Sequence, residues 1–127
     1  MIFIYNGKPA IATALSTDSS LIALIPKIRM ADGFQSPTAA QVYPYLDYYE
    51  LTNIEALNAD DDEIESEVTF RIDLWGTASL SIIAGHVNRI MQAIGYNRNY
   101  SNDQDERLET GTIIKHKIMS FSGTFQA

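Results

Sequence analysis

Residues 67–76 read "EVTFRIDLWG". Val68, Phe70, Ile72 and Leu74 alternate with Glu67, Thr69, Arg71, Asp73 and Trp75. Successive side chains of a β-strand fall on opposite faces, so this pattern makes a strand with one apolar face. Its other face is unusual: an arginine, an aspartate and a tryptophan stand together, and a strand that only met water would have no use for an indole.

The neighbouring segments build outward from this strand. Upstream, "VYPYLDYYELTN" (42–53) holds tyrosines at 43, 45, 48 and 49 with Val42 and Leu46, an aromatic content that suits a second strand. Pro44 places itself at the start of that strand or on an edge, because it has no N–H to give a ladder. Between the two runs, residues 55–67 carry a dense block of acids. Like charges repel, so residues 55–66 are expected to form a flexible acidic loop joining a hairpin.

Downstream, Leu80, Ile83, Val87, Ile90, Met91 and Ile94 recur at helical spacing, predicting an amphipathic helix over residues 78–95. Thr77 or Ser79 is placed to cap it, and Gly95 to close it. The polar stretch 97–109 reads as a loop. The last segment, "TIIKHKIMSFSGTFQ", reads as a strand with apolar residues on both faces: Ile114 and Ile118 on one, Met119, Phe121 and Phe125 on the other. Either a bulge near residue 118 resets the register or both faces are partly covered. At the N-terminus, residues 7–28 read as helix with Pro9 in the first turn, and "STDSS" interrupts it with residues able to cap a second short helix.

The order is thus α-β-β-α-β. The expected fold class is α+β, a single domain over residues 1–127 with a small, mostly antiparallel sheet and helices packed on one face.

Composition narrows the function classes. The chain has 127 residues, 46% hydrophobic and 20% charged, as globular domains do. Acids outnumber bases 16 to 9, for a net charge of -7, so the phosphate attraction that drives nucleic-acid binding is missing. No cysteine is present, which excludes disulfides and thiolate chemistry and fits synthesis in a reducing cytoplasm. No apolar run is long enough to span a bilayer, and the N-terminus is a poor signal peptide.

Chemistry is equally scarce. His86 and His116 lack a second histidine or carboxylate at ligand spacing, so both read as structural. Counted from Asp60, an EF-hand loop would want glycine at the sixth position and glutamate at the twelfth; Glu65 and Arg71 stand there instead. No nucleophile elbow or phosphate loop occurs. Asp73 and Glu67 beside Arg71 read as a surface ion pair rather than an acid–base couple. The chain is therefore expected not to be an enzyme and to need no cofactor or metal.

What remains is contact surface. Tryptophan, tyrosine and arginine are enriched at interfaces, which makes Arg71, Asp73, Trp75, Phe121 and Phe125 the candidate subunit or partner interface. Ile82 and Ala93 also lie off the main stripe of the long helix.

Taken in order, "IATALSTDSSLIALIPKIRM", "YPYLDYYE" and "VTFRIDLWGTASLSIIAGHVNRIMQAI", followed by a polar loop and a closing strand, resemble the tail-completion proteins of long-tailed bacteriophages. These are the tail terminator or tail-to-head joining proteins. The resemblance implies a ring of subunits, in that family a hexamer, capping the tail tube and meeting the head connector while genome DNA passes through the lumen without specific binding. It implies a virion location at the tail–head junction, with assembly in the host bacterial cytoplasm and no membrane partner. The acidic loop with Asp60, Asp61, Asp62, Glu63 and Glu65 would then line the lumen or face a partner, and its charge would let DNA slide. A head–tail connector protein is the alternative within the phage class. A small ligand-binding or regulatory α+β domain, with tyrosines around a pocket, is the alternative outside it.

Overall fold

The computed structural model describes residues 4–59 and 62–126, and its spine is a hairpin of two long strands, β2 (Tyr45–Ala59) and β3 (Asp62–Gly76). The chain begins with helix α1 (Lys8–Thr17), a single helical turn α2 (Ser19–Ile22), a 3-10 turn at Lys27–Arg29 and a short strand β1 (Met30–Asp32). After β3 come helix α3 (Ser81–Ala93), β4 (Asn97–Asp103), the two-residue β5 (Glu106–Arg107) and β6 (Ile113–Gln126). The sheet runs β1-β2-β3-β6-β4, and β5 pairs with β6 beside it. Among the described residues β1 and β2 pair in parallel and the other pairings are antiparallel. The α+β class and the helices on one face stand as read from the sequence.

The alternation of 67–76 has the predicted effect. Val68, Phe70, Ile72 and Leu74 are all fully buried, against Leu46 of β2, Met119 and Phe121 of β6, and the helices. Helix α1 contributes Ile11 and Leu15, and α3 contributes Ile83, Val87, Ile90 and Met91. Each such side chain gains roughly 1.5–3 kcal/mol on leaving water, so this face is where most of the fold's free energy is stored.

The punctuation works as the residue types dictate. Pro9 lies in the first turn of α1, where its missing N–H costs nothing. Asp18 ends that helix and caps the next: its carboxylate accepts the Leu21 N–H at 3.0 Å. The same carboxylate takes a two-pronged ion pair from Arg89 of α3, at 2.9 and 3.0 Å. Gly95 closes α3 at φ +99°, in the left-handed region glycine favours, and the Tyr96 N–H returns to the Met91 carbonyl. The expected cap at the other end of α3 differs in detail. Leu80 occupies the cap position without a side-chain hydrogen bond, and the Ser79 hydroxyl meets the Ser81 hydroxyl at 3.2 Å and takes a long contact from the Ser81 N–H at 3.4 Å.

Two readings need correction, and one open alternative is decided. Residues 55–59 and 62–66, expected as an acidic loop, continue the β2–β3 ladder, with Glu55 opposite Ser66 and Ala59 opposite Asp62. Pairing to β6 as far as Glu65 opposite Gln126 extends β3 beyond what its own charge pattern favours. Asp60 and Asp61 lie outside the described residues. The polar stretch after α3, expected as a loop, contains the edge strand β4, whose residues are all exposed. It is held by backbone pairing to β6 and has no apolar periodicity to announce it. In the final strand, the β3–β6 register is unbroken from Glu65 to Gly76, so no bulge reverses β6 against β3. Both of its faces are covered instead.

Candidate functional site

The second covered face is where the structure departs furthest from expectation. Tyr45, Asp47 and Tyr49 of β2 stand opposite Trp75, Asp73 and Arg71 of β3, and Trp75 and Asp73 stand opposite His116 and Ile118 of β6. Opposed residues in a ladder share a face, so these side chains form one patch on the side away from the helices.

Trp75 lies at its centre, only 1% exposed. Its indole stacks on the His116 ring, with centroids 3.6 Å apart, and on Tyr45 at 5.8 Å. Phe34, from the segment joining β1 to β2, meets the indole edge-on at 5.8 Å. Ile114, Tyr43 and Leu108 complete this smaller apolar cluster.

Around the rings runs a buried polar network. The indole N–H donates to Asp47 Oδ2 at 3.1 Å, and the Gln35 backbone N–H donates to the same oxygen at 3.0 Å. Asp73 Oδ1 is 2.8 Å from His116 Nε2 and receives the Arg71 guanidinium at 3.1 Å. The other imidazole nitrogen, Nδ1, lies 3.3 Å from Glu106 of β5. Burial opposes ionisation of Asp73, but the hydrogen bonds from His116 and Arg71 help to outweigh it and hold the carboxyl below its usual range. Burial pushes Asp47 the other way, up to about 7.

The segment over this face is itself tied down. The Tyr45 hydroxyl donates to the Gln35 carbonyl at 3.0 Å and the Tyr43 hydroxyl to the Thr38 carbonyl at 2.8 Å. The Arg29 guanidinium reaches the carbonyls of Tyr43 and Pro44 at 3.1 and 3.2 Å.

This geometry redistributes the candidate interface residues. Trp75 and Asp73 are sealed inside the subunit by its own chain, and Phe121 belongs to the helix-covered core, so none of the three presents a surface to a partner. The Arg71–Asp73 pair is not a surface pair, since the aspartate is fully buried. Arg71 remains partly exposed, with its guanidinium over the Tyr49 ring. Phe125 is half-buried and stacks on Tyr5 with ring centroids 4.5 Å apart. Of the acidic set, Glu65 is half-buried and receives the Gln126 amide at 3.2 Å, while Asp62 and Glu63 fall on β3 next to the hairpin tip. His116 is the buried hub of a network, contacting Asp73, Glu106 and the Trp75 ring.

The apolar surface that does face solvent comes from elsewhere. Ile28 is 92% exposed, Ile82 72% and Val42 63%. Ile28 and Val42 line one open groove with Arg29, Ala31 and Gln41. Leu51 and Ile54 stand out from the distal half of β2, beyond the reach of β1. Ile82 was legible as the off-stripe residue of α3; Ile28 and Val42 carried no periodicity that could mark them.

The tyrosines do not converge on a pocket. Tyr48 belongs to the helix-covered core and Tyr45 to the opposite cluster. Among the described residues no group of histidine, aspartate and glutamate side chains is arranged to hold a metal ion, and no helix is long and apolar enough to cross a membrane.

No protein-family model matches the chain, and no curated protein matches it in sequence. Among solved structures it is similar to a chain of the virion of a native gene transfer agent particle, with a TM-score of 0.53 and 14% identity over 92% of each chain. At that identity the likeness is one of fold, and it extends over most of each chain.

Proposed function

We propose that this chain is a structural, non-enzymatic component of a phage-like virion. Within that class, we assign it to tail completion: a ring at the head-proximal end of the tail tube that joins tail to head, with DNA threading the lumen. The observation that carries the reading is a fold shared over 92% of both chains with a virion protein. The order of sequence motifs supports the finer assignment, and the net charge of -7 suits a lumen that does not hold DNA.

A ring needs two complementary patches per subunit, meeting head to tail around a closed rotation. Trp75 and Phe121 are unavailable for this, so the contact falls to exposed side chains, first of all Ile28 and Val42 in their shared groove.

Electron microscopy of the purified protein mixed with tail tubes tests the reading. Rings, or caps at one end of each tube, are the expected result. The double variant Ile28→Asp/Val42→Asp should abolish them while its unfolding transition moves by no more than about 0.5 kcal/mol, as for surface substitutions. Particles that bind isolated head connectors but never tubes would move the assignment to a connector protein. A monomer indifferent to both would overturn it.

A further inference from the structure

Asp47 and Asp73 are direct partners in the β2–β3 ladder, on the same face, and neither has any exposed surface. Each carboxyl has one satisfied oxygen and one bare one. Asp47 Oδ2 accepts from Gln35 and Trp75, and Asp73 Oδ1 accepts from Arg71 and faces His116. Asp47 Oδ1 and Asp73 Oδ2 are buried with no hydrogen-bond partner. Two buried, donorless acceptors on facing residues are costly, and two adjacent carboxylates are costlier still. One proton removes both costs at once, because a carboxylic acid can donate to a carboxylate.

We propose that Asp47 and Asp73 share a single proton, carried on Asp47 Oδ1 and donated to Asp73 Oδ2, and that this pair latches the segment 33–44 onto the sheet.

The surroundings say which partner carries it. Asp73 faces the Arg71 guanidinium on its own strand and the imidazole of His116 on β6, behind which stands Glu106 of β5. The guanidinium and the imidazole favour a carboxylate. Asp47 faces only neutral donors: the indole of Trp75 on β3 and the Gln35 amide from the covering segment. The remaining titratable neighbours are phenols of β2. Burial pushes Tyr49 up to about 12 and raises Tyr45 further, so both stay neutral. Asp47 is therefore the acid of the pair.

The latch follows from what Asp47 holds. Its carboxyl ties down the Gln35 N–H, while the Gln35 carbonyl receives the Tyr45 hydroxyl. Loss of the proton leaves Asp47 Oδ2 accepting from Gln35 and Trp75 but places a second negative charge against Asp73 with no cation facing it, and that repulsion across the ladder weakens the fold beneath the covering segment.

The sign of the pH dependence is fixed. The folded state keeps a proton that an ordinary carboxyl releases at 3.8, so stability falls as pH rises from there to about 7 and levels off above. One retained proton corresponds to a fall of up to about tenfold per pH unit in the folded-to-unfolded ratio.

Infrared difference spectroscopy on the full chain reads the proton directly. The expected result is the C=O stretch of a protonated carboxylic acid present at pH 6 and lost by pH 9, and missing in Asp47→Asn, whose amide can make the same donation permanently. Trp75 is the single tryptophan, and its fluorescence should titrate near pH 7 in the parent chain and not in that variant. Absence of the carboxylic-acid band at pH 6 in the parent chain overturns the proposal, whether or not the variant folds. So does an unchanged band in Asp47→Asn.

Discussion

The two faces of the central hairpin are buried by opposite means. On one, Val68, Phe70, Ile72 and Leu74 meet the helices in a largely apolar core. On the other, one residue along in each case, Asp73 and Trp75 meet an imidazole, a second aspartate and the covering segment. The first face gains from area removed from water and tolerates substitutions by volume. The second also buries aromatic area, in Trp75 and Tyr45, but depends in addition on every donor finding its acceptor, since a single lost partner strands a buried charge. One strand therefore carries both a packing problem and an accounting problem.

Substitutions on each face would sharpen this contrast. The largest loss is expected at the apolar face. Phe70→Ala opens a cavity at a fully buried site and should lower unfolding free energy by about 3–5 kcal/mol in a denaturant titration, with little dependence on pH. An equal loss that varied strongly with pH would blur the distinction between the faces. Next, Trp75→Phe keeps most of the ring area but removes the N–H that Asp47 accepts, and should cost about 1–3 kcal/mol. A loss at the size of Phe70→Ala would mean that volume rules this face too. Smallest is Ser122→Ala, which removes the hydroxyl bonded to Thr69 and Asn99 at 2.7 Å on the half-open distal part of the same face. About 0.5–1.5 kcal/mol is expected there, because water can replace the lost partner. A larger loss would extend the closed network to the hairpin's far end.

The contrast also explains which parts of the molecule were legible in the chain. Apolar alternation placed β3, and helical periodicity placed α3 to within three residues at each end. Gly95 was legible as a helix stop, and Asp18 as one of several possible caps in "STDSS", because their effects are local, set by a side chain and a backbone angle within a few positions. Strand β4 was not, because its residues are exposed and only the neighbouring β6 edge gives them a reason to be extended. The acidic block misled in the same way: repulsion within one segment is outweighed by a ladder that partners on both sides extend.

The candidate interface shows the limit most plainly. Arginine, aspartate and tryptophan on the outward side of one strand are types found where proteins meet, and this face does meet another surface. That surface belongs to the same chain: Phe34 and Gln35 lie about 40 residues before Trp75, and His116 about 40 after it. The same composition serves an internal contact or an external one, so residue type alone cannot assign it. The contact surface proposed in its place, Ile28 and Val42, has ordinary apolar residues in irregular segments and no pattern to single it out.

Local rules were enough to set the α+β class, the apolar face of the hairpin, the long helix and its glycine stop, because each depends on periods and angles spanning a few residues. Coverage of the opposite face, the pairing of Asp47 with Asp73 and the burial of Trp75 arise only when strands distant along the chain come into register. Burial and charge compensation are properties of what lies across the ladder and above it, and no short stretch of chain contains that information.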